Sequence, residues 1–158
     1  MAAHIIHRSK SPSTPDCGVP IDCQYFDTSS IVPLPAVGGT VVLARVELPA
    51  QYCGMLEYFS QFSDLFSRDP SEVLTAGLLW QIRSNGQPLS PYHQLNAILN
   101  PWGFGSFQLA IRLQEGAVLE LIARRVAEIV ASPGKQLNLI GGRLVGRYWY
   151  NATYGTDR

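Results

Sequence analysis

Two histidines three residues apart, in His4-Ile5-Ile6-His7, have the spacing at which a helix would aim both imidazoles at one metal ion. A metal site needs further donors, and none stands near in sequence. His93, after Pro91-Tyr92, is isolated and reads as a loop or interface residue. Ser106 follows a glycine in Gly103-Phe104-Gly105-Ser106-Phe107, but the second glycine of a nucleophile elbow is missing and no general base is placed beside it. Gly141-Gly142 runs into Arg143-Leu144-Val145 instead of opening a helix, so it is not a phosphate-binding loop. Glu57 and Glu120 sit singly in strand-like runs, where an outward-facing position explains them better than an acid–base pair does. Cys17, Cys23 and Cys53 are odd in number and fit no zinc spacing. Asn151-Ala152-Thr153 fits the glycosylation pattern, but with no secretory leader it reads as a chance match. No catalytic, cofactor or metal site emerges, and the expectation is a protein that is not an enzyme and carries no cofactor.

Aromatic residues are the stronger lead. Trp102 and Phe104 share one glycine-rich segment, and Tyr148, Trp149, Tyr150 and Tyr154 crowd another. Tryptophan and tyrosine suit protein interfaces and sugar-stacking platforms, and they also fill cores. Trp80 belongs to the core on its alternation with Leu78 and Ile82. For the C-terminal cluster, interface, core and sugar platform stay open, with interface preferred.

The elements that must position these residues read as strands. Residues 39–48 are β-branched and partly alternating, and Pro49 ends the run. Tyr52 to Phe59 is a second, aromatic-rich run. Leu78, Trp80 and Ile82 alternate up to Asn85-Gly86, a pair that supplies the positive φ angles of a type I′ hairpin. Pro88 and Pro91 make the returning strand irregular or place it at an edge. Phe107, Leu109, Ile111 and Leu113 keep a period of two before the Glu115-Gly116 turn. Val118 to Val130 fits a helical stripe as well as a strand; the strand–turn–strand context favours a strand over Val118 to Arg124, with a helical turn after it. The last run carries Gly141, Gly142 and Gly146, which permit close backbone approach or a bulge. Short strands and frequent turns predict an all-β fold, an antiparallel β-sandwich of jelly-roll type.

Residues 1–38 differ. Five of the eleven prolines, Pro12, Pro15, Pro20, Pro33 and Pro35, lie here and oppose a helix or a central strand. Ile5, Ile6, Tyr25 and Phe26 give the segment apolar anchors that a free tail would not need. The expectation is an extended arm, residues 1–38, docking on another surface, and a sandwich domain, residues 39–158.

The 158-residue chain is 46% apolar, which is ample for a core and excludes general disorder. Only 15% of it is charged and the formal net charge is zero, so no global field draws it to nucleic acid or a membrane. Residues 39–75 hold two basic and five acidic groups, residues 76–158 eight and four, an asymmetry that suits head-to-tail packing of like subunits or is ordinary surface scatter. No apolar run approaches the ~20 residues of a membrane span. Free thiols and the lack of a leader fit synthesis in a reducing cytoplasm.

The order of pieces resembles a family. It runs from Leu48-Pro49 through Gly54-Met55-Leu56-Glu57-Tyr58-Phe59 to Leu79-Trp80-Gln81-Ile82 and its hairpin. It continues with residues 111–121, Ile-Arg-Leu-Gln-Glu-Gly-Ala-Val-Leu-Glu-Leu, and residues 142–149, Gly-Arg-Leu-Val-Gly-Arg-Tyr-Trp. Over residues 39–150 this is similar to small β-sandwich accessory proteins of tailed bacteriophages, encoded beside capsid and portal genes. The resemblance implies a virion component, decorating the head or building the neck, that associates with itself and with capsid or portal proteins. Read from the arm's apolar anchors and the aromatic clusters, the expected interface residues are Ile5, Ile6, Tyr25 and Phe26 of the arm and Trp102, Phe104, Tyr148, Trp149, Tyr150 and Tyr154. No small-molecule ligand is expected. The competing expectations are a carbohydrate-binding sandwich, with Trp102, Phe104 and Trp149 as stacking residues, and an enzyme on a jelly-roll scaffold using Ser106 or His93.

Overall fold

The computed structural model describes residues 23–64, 77–90, 105–129 and 136–151. Eight strands lie in them: β1 (Gln24–Pro33), β2 (Thr40–Glu47), β3 (Tyr52–Ser63), β4 (Leu78–Ser84), β5 (Gln87–Pro88), β6 (Gly105–Leu113), β7 (Val118–Arg125) and β8 (Leu139–Tyr150). Local chemistry sets their ends. Asn85 and Gly86 have φ of 51° and 77°, the two positive values of a type I′ turn. The Asn85 side-chain oxygen accepts a hydrogen bond from the Val118 N–H at 2.8 Å, and the Asn85 backbone N–H donates to the Val118 carbonyl at 2.8 Å, which ties this hairpin to β7. Beyond it, β5 spans only two residues, Pro88 standing opposite Arg83, and the Leu89 N–H still donates to the Ile82 carbonyl at 2.8 Å. Gly116, with φ of 66°, turns the chain between β6 and β7. The stretch from Val118 is strand as far as Arg125, and no helical turn follows in residues 126–129.

The strands form two four-stranded antiparallel sheets, in the order β1-β8-β3-β6 (sheet A) and β2-β7-β4-β5 (sheet B). Successive strands mostly alternate between sheets, and this order is that of a jelly roll, as the alternation and turns predict. The core lies between the sheets. Leu43, Ala44 and Val46 of β2, Leu119 and Leu121 of β7, and Trp80 and Ile82 of β4 face Leu56 and Phe59 of β3 and Ile140 and Leu144 of β8. Each large side chain removed from water contributes roughly 1.5–3 kcal/mol, so truncating a central one such as Leu121 to alanine costs about 2–5 kcal/mol.

A bulge in β3 adjusts the faces. The register shifts between Leu56 and Tyr58 against both neighbours, which leaves Glu57 outside the ladder. The extra residue lets Gly54 and Leu56 on one side, and Phe59, Gln61 and Ser63 on the other, all point inward. β8 runs flush beside it through its glycines. A Cβ on Gly142 would meet Leu121 of the opposite sheet at 2.5 Å, so the missing side chain lets the sheets approach there.

The boundary expected at Gly38 is corrected by β1. Residues 24–33 pair with β8 over ten consecutive positions, from Gln24 opposite Tyr148 to Pro33 opposite Leu139. The prolines permit this because β1 is an edge strand and Pro33 is its last residue. Phe26 and Val32 pack on the core, and the Ser30 hydroxyl donates to the Leu43 carbonyl of β2 at 2.5 Å, bridging the sheets. The connection to β2 is held by Arg125, whose guanidinium donates to the Pro35 carbonyl and whose backbone pairs with Gly38 and Gly39. Residues 1–22, with Ile5 and Ile6, lie outside the described residues.

Candidate interface on the outer face of sheet A

Directly opposed residues of antiparallel strands point to the same side, so the register maps the outer face row by row. One row reads Tyr25, Arg147, Met55, Arg112 across β1, β8, β3 and β6. The next reads Asp27, Val145, Tyr58, Gln108. Ser29, Arg143 and Ser60 follow, then Ile31, Gly141 and Phe62. Tyr25 is 71% exposed, Ile31 61% and Tyr58 43%, with Met55, Phe62 and Val145 half-buried among them. Tyrosine, methionine and arginine are enriched in protein interfaces, and lysine, which is depleted there, is missing from this face among the described residues.

Both carboxylates of the face have arginine partners. Arg143 donates from Nε and Nη2 to the two oxygens of Asp27, at 2.7 and 2.5 Å. This paired geometry is the strong form of the contact. It holds the Asp27 carboxyl below its usual range, mainly through the hydrogen bonds and against a small desolvation penalty, and it raises the Arg143 guanidinium. Glu57, set free by the bulge, accepts from Arg147 at 2.8 Å through Nε and also from Nη2. That hydrogen bonding raises the Arg147 guanidinium, and the Cys23 thiol group is a second, weaker partner. Arg112 is exposed on the same face. The outer face therefore sets exposed aromatic and aliphatic side chains among polar ones, with its two carboxylates paired in place and Arg112 adding an exposed positive charge.

The residues singled out from sequence separate in the structure. Tyr25 lies on this face, opposite Arg147. Phe26 points the other way and packs on the core. Tyr148 also packs on the core, with its ring 5.7 Å from that of Tyr52, which in turn stands 5.7 Å from the ring of Tyr150. That tyrosine trio sits at one end of the sandwich. Trp149 is a correction: it has outward parity, opposite Cys53, but is only 8% exposed, so it offers no open ring to a partner or a sugar. Ile5, Ile6, Trp102, Phe104, Tyr154, His93 and the side chain of Ser106 lie outside what is described. Tyr58, Arg143 and Arg147 on this face were not singled out as candidate interface residues from sequence, although Arg143, Val145, Arg147 and Trp149 share one parity there. Among the described residues no three histidine, cysteine or acidic side chains cluster as a metal site. No helix among them is long and apolar enough to cross a membrane, which says nothing of β-barrels.

No family model matches the chain, and no curated protein matches it. A solved structure that is similar in part is dimeric latent PorU from Porphyromonas gingivalis, at 12% identity and a TM-score of 0.26. The match covers 78% of this chain and 13% of that one, and at this TM-score it carries no argument about fold or function.

Proposed function

We propose that the protein is a non-enzymatic structural subunit of a virus particle, and specifically of a tailed phage, where it joins its own kind and the capsid, portal or neck proteins. The observation that carries this reading is the outer face of sheet A, with Tyr25, Ile31 and Tyr58 exposed around neutralised ion pairs. A sheet face that sets exposed aromatic and aliphatic side chains among paired charges suits a subunit packed among others. The jelly-roll strand order agrees, since viral capsid domains use it, but lectins and cupins use it too, so the face and not the fold bears the weight. Synthesis in the host cytoplasm and residence in the virion follow from the same reading. A sugar-stacking role loses one of its three aromatic residues to burial, Trp149. The test is quantitative mass spectrometry of particles purified from cells that carry the encoding genome. The chain is expected at a fixed stoichiometry to the major capsid or portal protein; its absence from washed particles refutes the proposal.

A further inference from the structure

From the register of sheet A we infer that its outer face binds the same face of a second copy, about a two-fold axis parallel to the strands and lying over the line between β8 and β3. This rests on the structural reading above and names the partner of the same surface. Rotation about that axis exchanges β1 with β6 and β8 with β3, and leaves position along the strands unchanged. The row Tyr25, Arg147, Met55, Arg112 then lies on its own reverse. Each Arg112 guanidinium falls on the ring of the partner copy's β1 tyrosine, a cation–π contact made twice. Each Arg147 falls on a Met55 side chain. In the next row each Val145 falls on a Tyr58 ring.

Charge supports a like partner. Asp27 and Glu57 already hold Arg143 and Arg147, so two copies meet without opposed bare carboxylates. Arg112, exposed at one edge, meets an aromatic face and not its own symmetry mate, because the axis sends β6 to the β1 edge. Four strands at ~4.8 Å and about eight residues of strand at ~3.3 Å give a face of roughly 500 Å². Two such faces bury on the order of 1,000 Å², the low end for a specific pair. Sheets packed in this way stand ~10 Å apart with their strands within about 30° of parallel. A reversible dimer in the micromolar range is the expectation.

The experiment is sedimentation of the full chain over about 1–200 μM, a range that brackets such an affinity, with thermal melts of every variant. Tyr25→Arg sets an arginine against Arg112 of the other copy at two symmetric contacts and is expected to weaken the dimer about 100-fold. Adding Arg112→Glu is expected to restore it. Within one sheet these positions are three strands apart, ~14 Å, so the rescue works only between copies. Tyr25 and Arg112 are both exposed, and recovery by the double variant shows that the first change left the fold intact. Val42→Arg, at an exposed position on β2 in sheet B, is expected to leave the dimer unchanged. A wild-type chain that stays monomeric overturns the inference, as does failure of the double variant to recover, or a dimer broken by Val42→Arg and not by Tyr25→Arg. A dimer that behaves as described but is absent from particles refutes the virion reading alone; a monomeric chain found in particles refutes the two-fold alone.

Discussion

Gly146 is the position where one added methyl group should cost most. It lies in β8 opposite Leu56, beside the β3 bulge and between β1 and β3. A Cβ there would collide with the Met55 carbonyl oxygen and with the Phe26 ring, whose Cε1 stands 2.9 Å away. The ring can turn. The carbonyl cannot, because it belongs to a strand paired on both sides. Relief therefore requires β3 and β8 to part by about an ångström, and overpacking of this kind costs up to about 3 kcal/mol. For a chain of this size that lowers the melting temperature by about 6–12 °C. Gly142→Ala is the comparison, since its Cβ would meet the Leu121 Cδ2 at 2.5 Å, the movable end of a side chain. There about 1 kcal/mol is expected, a fall of about 2–4 °C. Removing the ring with Phe26→Ala in the Gly146→Ala background should recover little, because the carbonyl clash remains. Thermal unfolding followed by circular dichroism reads all of these. If Gly146→Ala melts within about 2 °C of wild type, or Phe26→Ala restores it fully, the claim that backbone crowding demands this glycine is wrong.

Three further outcomes are expected. A chain starting at Gly38 loses β1, uncovers the β8 edge and leaves the core without Phe26 and Val32, so its cooperative unfolding transition should collapse, whereas one starting at Cys23 keeps the ladder and should melt cooperatively. Ser30→Ala removes the hydroxyl that bridges β1 to the Leu43 carbonyl and should cost about 1 kcal/mol by urea titration. The Asp27 carboxyl is depressed in the folded state, so its stabilisation is full above the ordinary value of 3.8 and vanishes as pH falls through its lowered value; stability–pH curves of wild type and Asp27→Asn should stand apart above pH 3.8 and converge below it.

How much of this was legible depends on what each strand does. β4 and its hairpin were plain because Leu78, Trp80 and Ile82 bury one face and Asn85-Gly86 can hardly do anything but turn. β1 was hidden because its inward positions are Phe26, Thr28, Ser30 and Val32. At the rim of a sandwich, small hydroxyl residues suffice and can bridge to the other sheet, so no clean hydrophobic alternation is written there. The nearby prolines pointed to an arm, yet at a strand end they are harmless. The outer face was half legible: parity places Arg143, Val145, Arg147 and Trp149 together, but the bulge at Glu57 flips the parity of β3, and no sequence signal told that Tyr58 joins them. That Trp149 is buried from the outward side is likewise unreadable from alternation, which assigns a face and not what lies over it. Ile122 repeats the case on sheet B, outward between Val42 and Gln81 and 1% exposed.

The place of β8 in the ribbon has a consequence for how the molecule comes into being. Among the described residues it is the last strand in chain order but an inner strand of sheet A, and it pairs residue 148 with residue 24 on one flank and with residue 54 on the other. While a ribosome is still making the middle of the chain, β1 and β3 have no partner between them, and their unsatisfied edges wait for a segment not yet translated. Sheet A then closes in one late event that joins widely separated sequence. High contact order of this kind slows folding to milliseconds or longer and leaves the nascent chain prone to aggregate. A growing chain would gain by keeping a chaperone until residue 150 has cleared the exit tunnel, and any nonsense codon before β8 should yield an insoluble product and not a smaller working one.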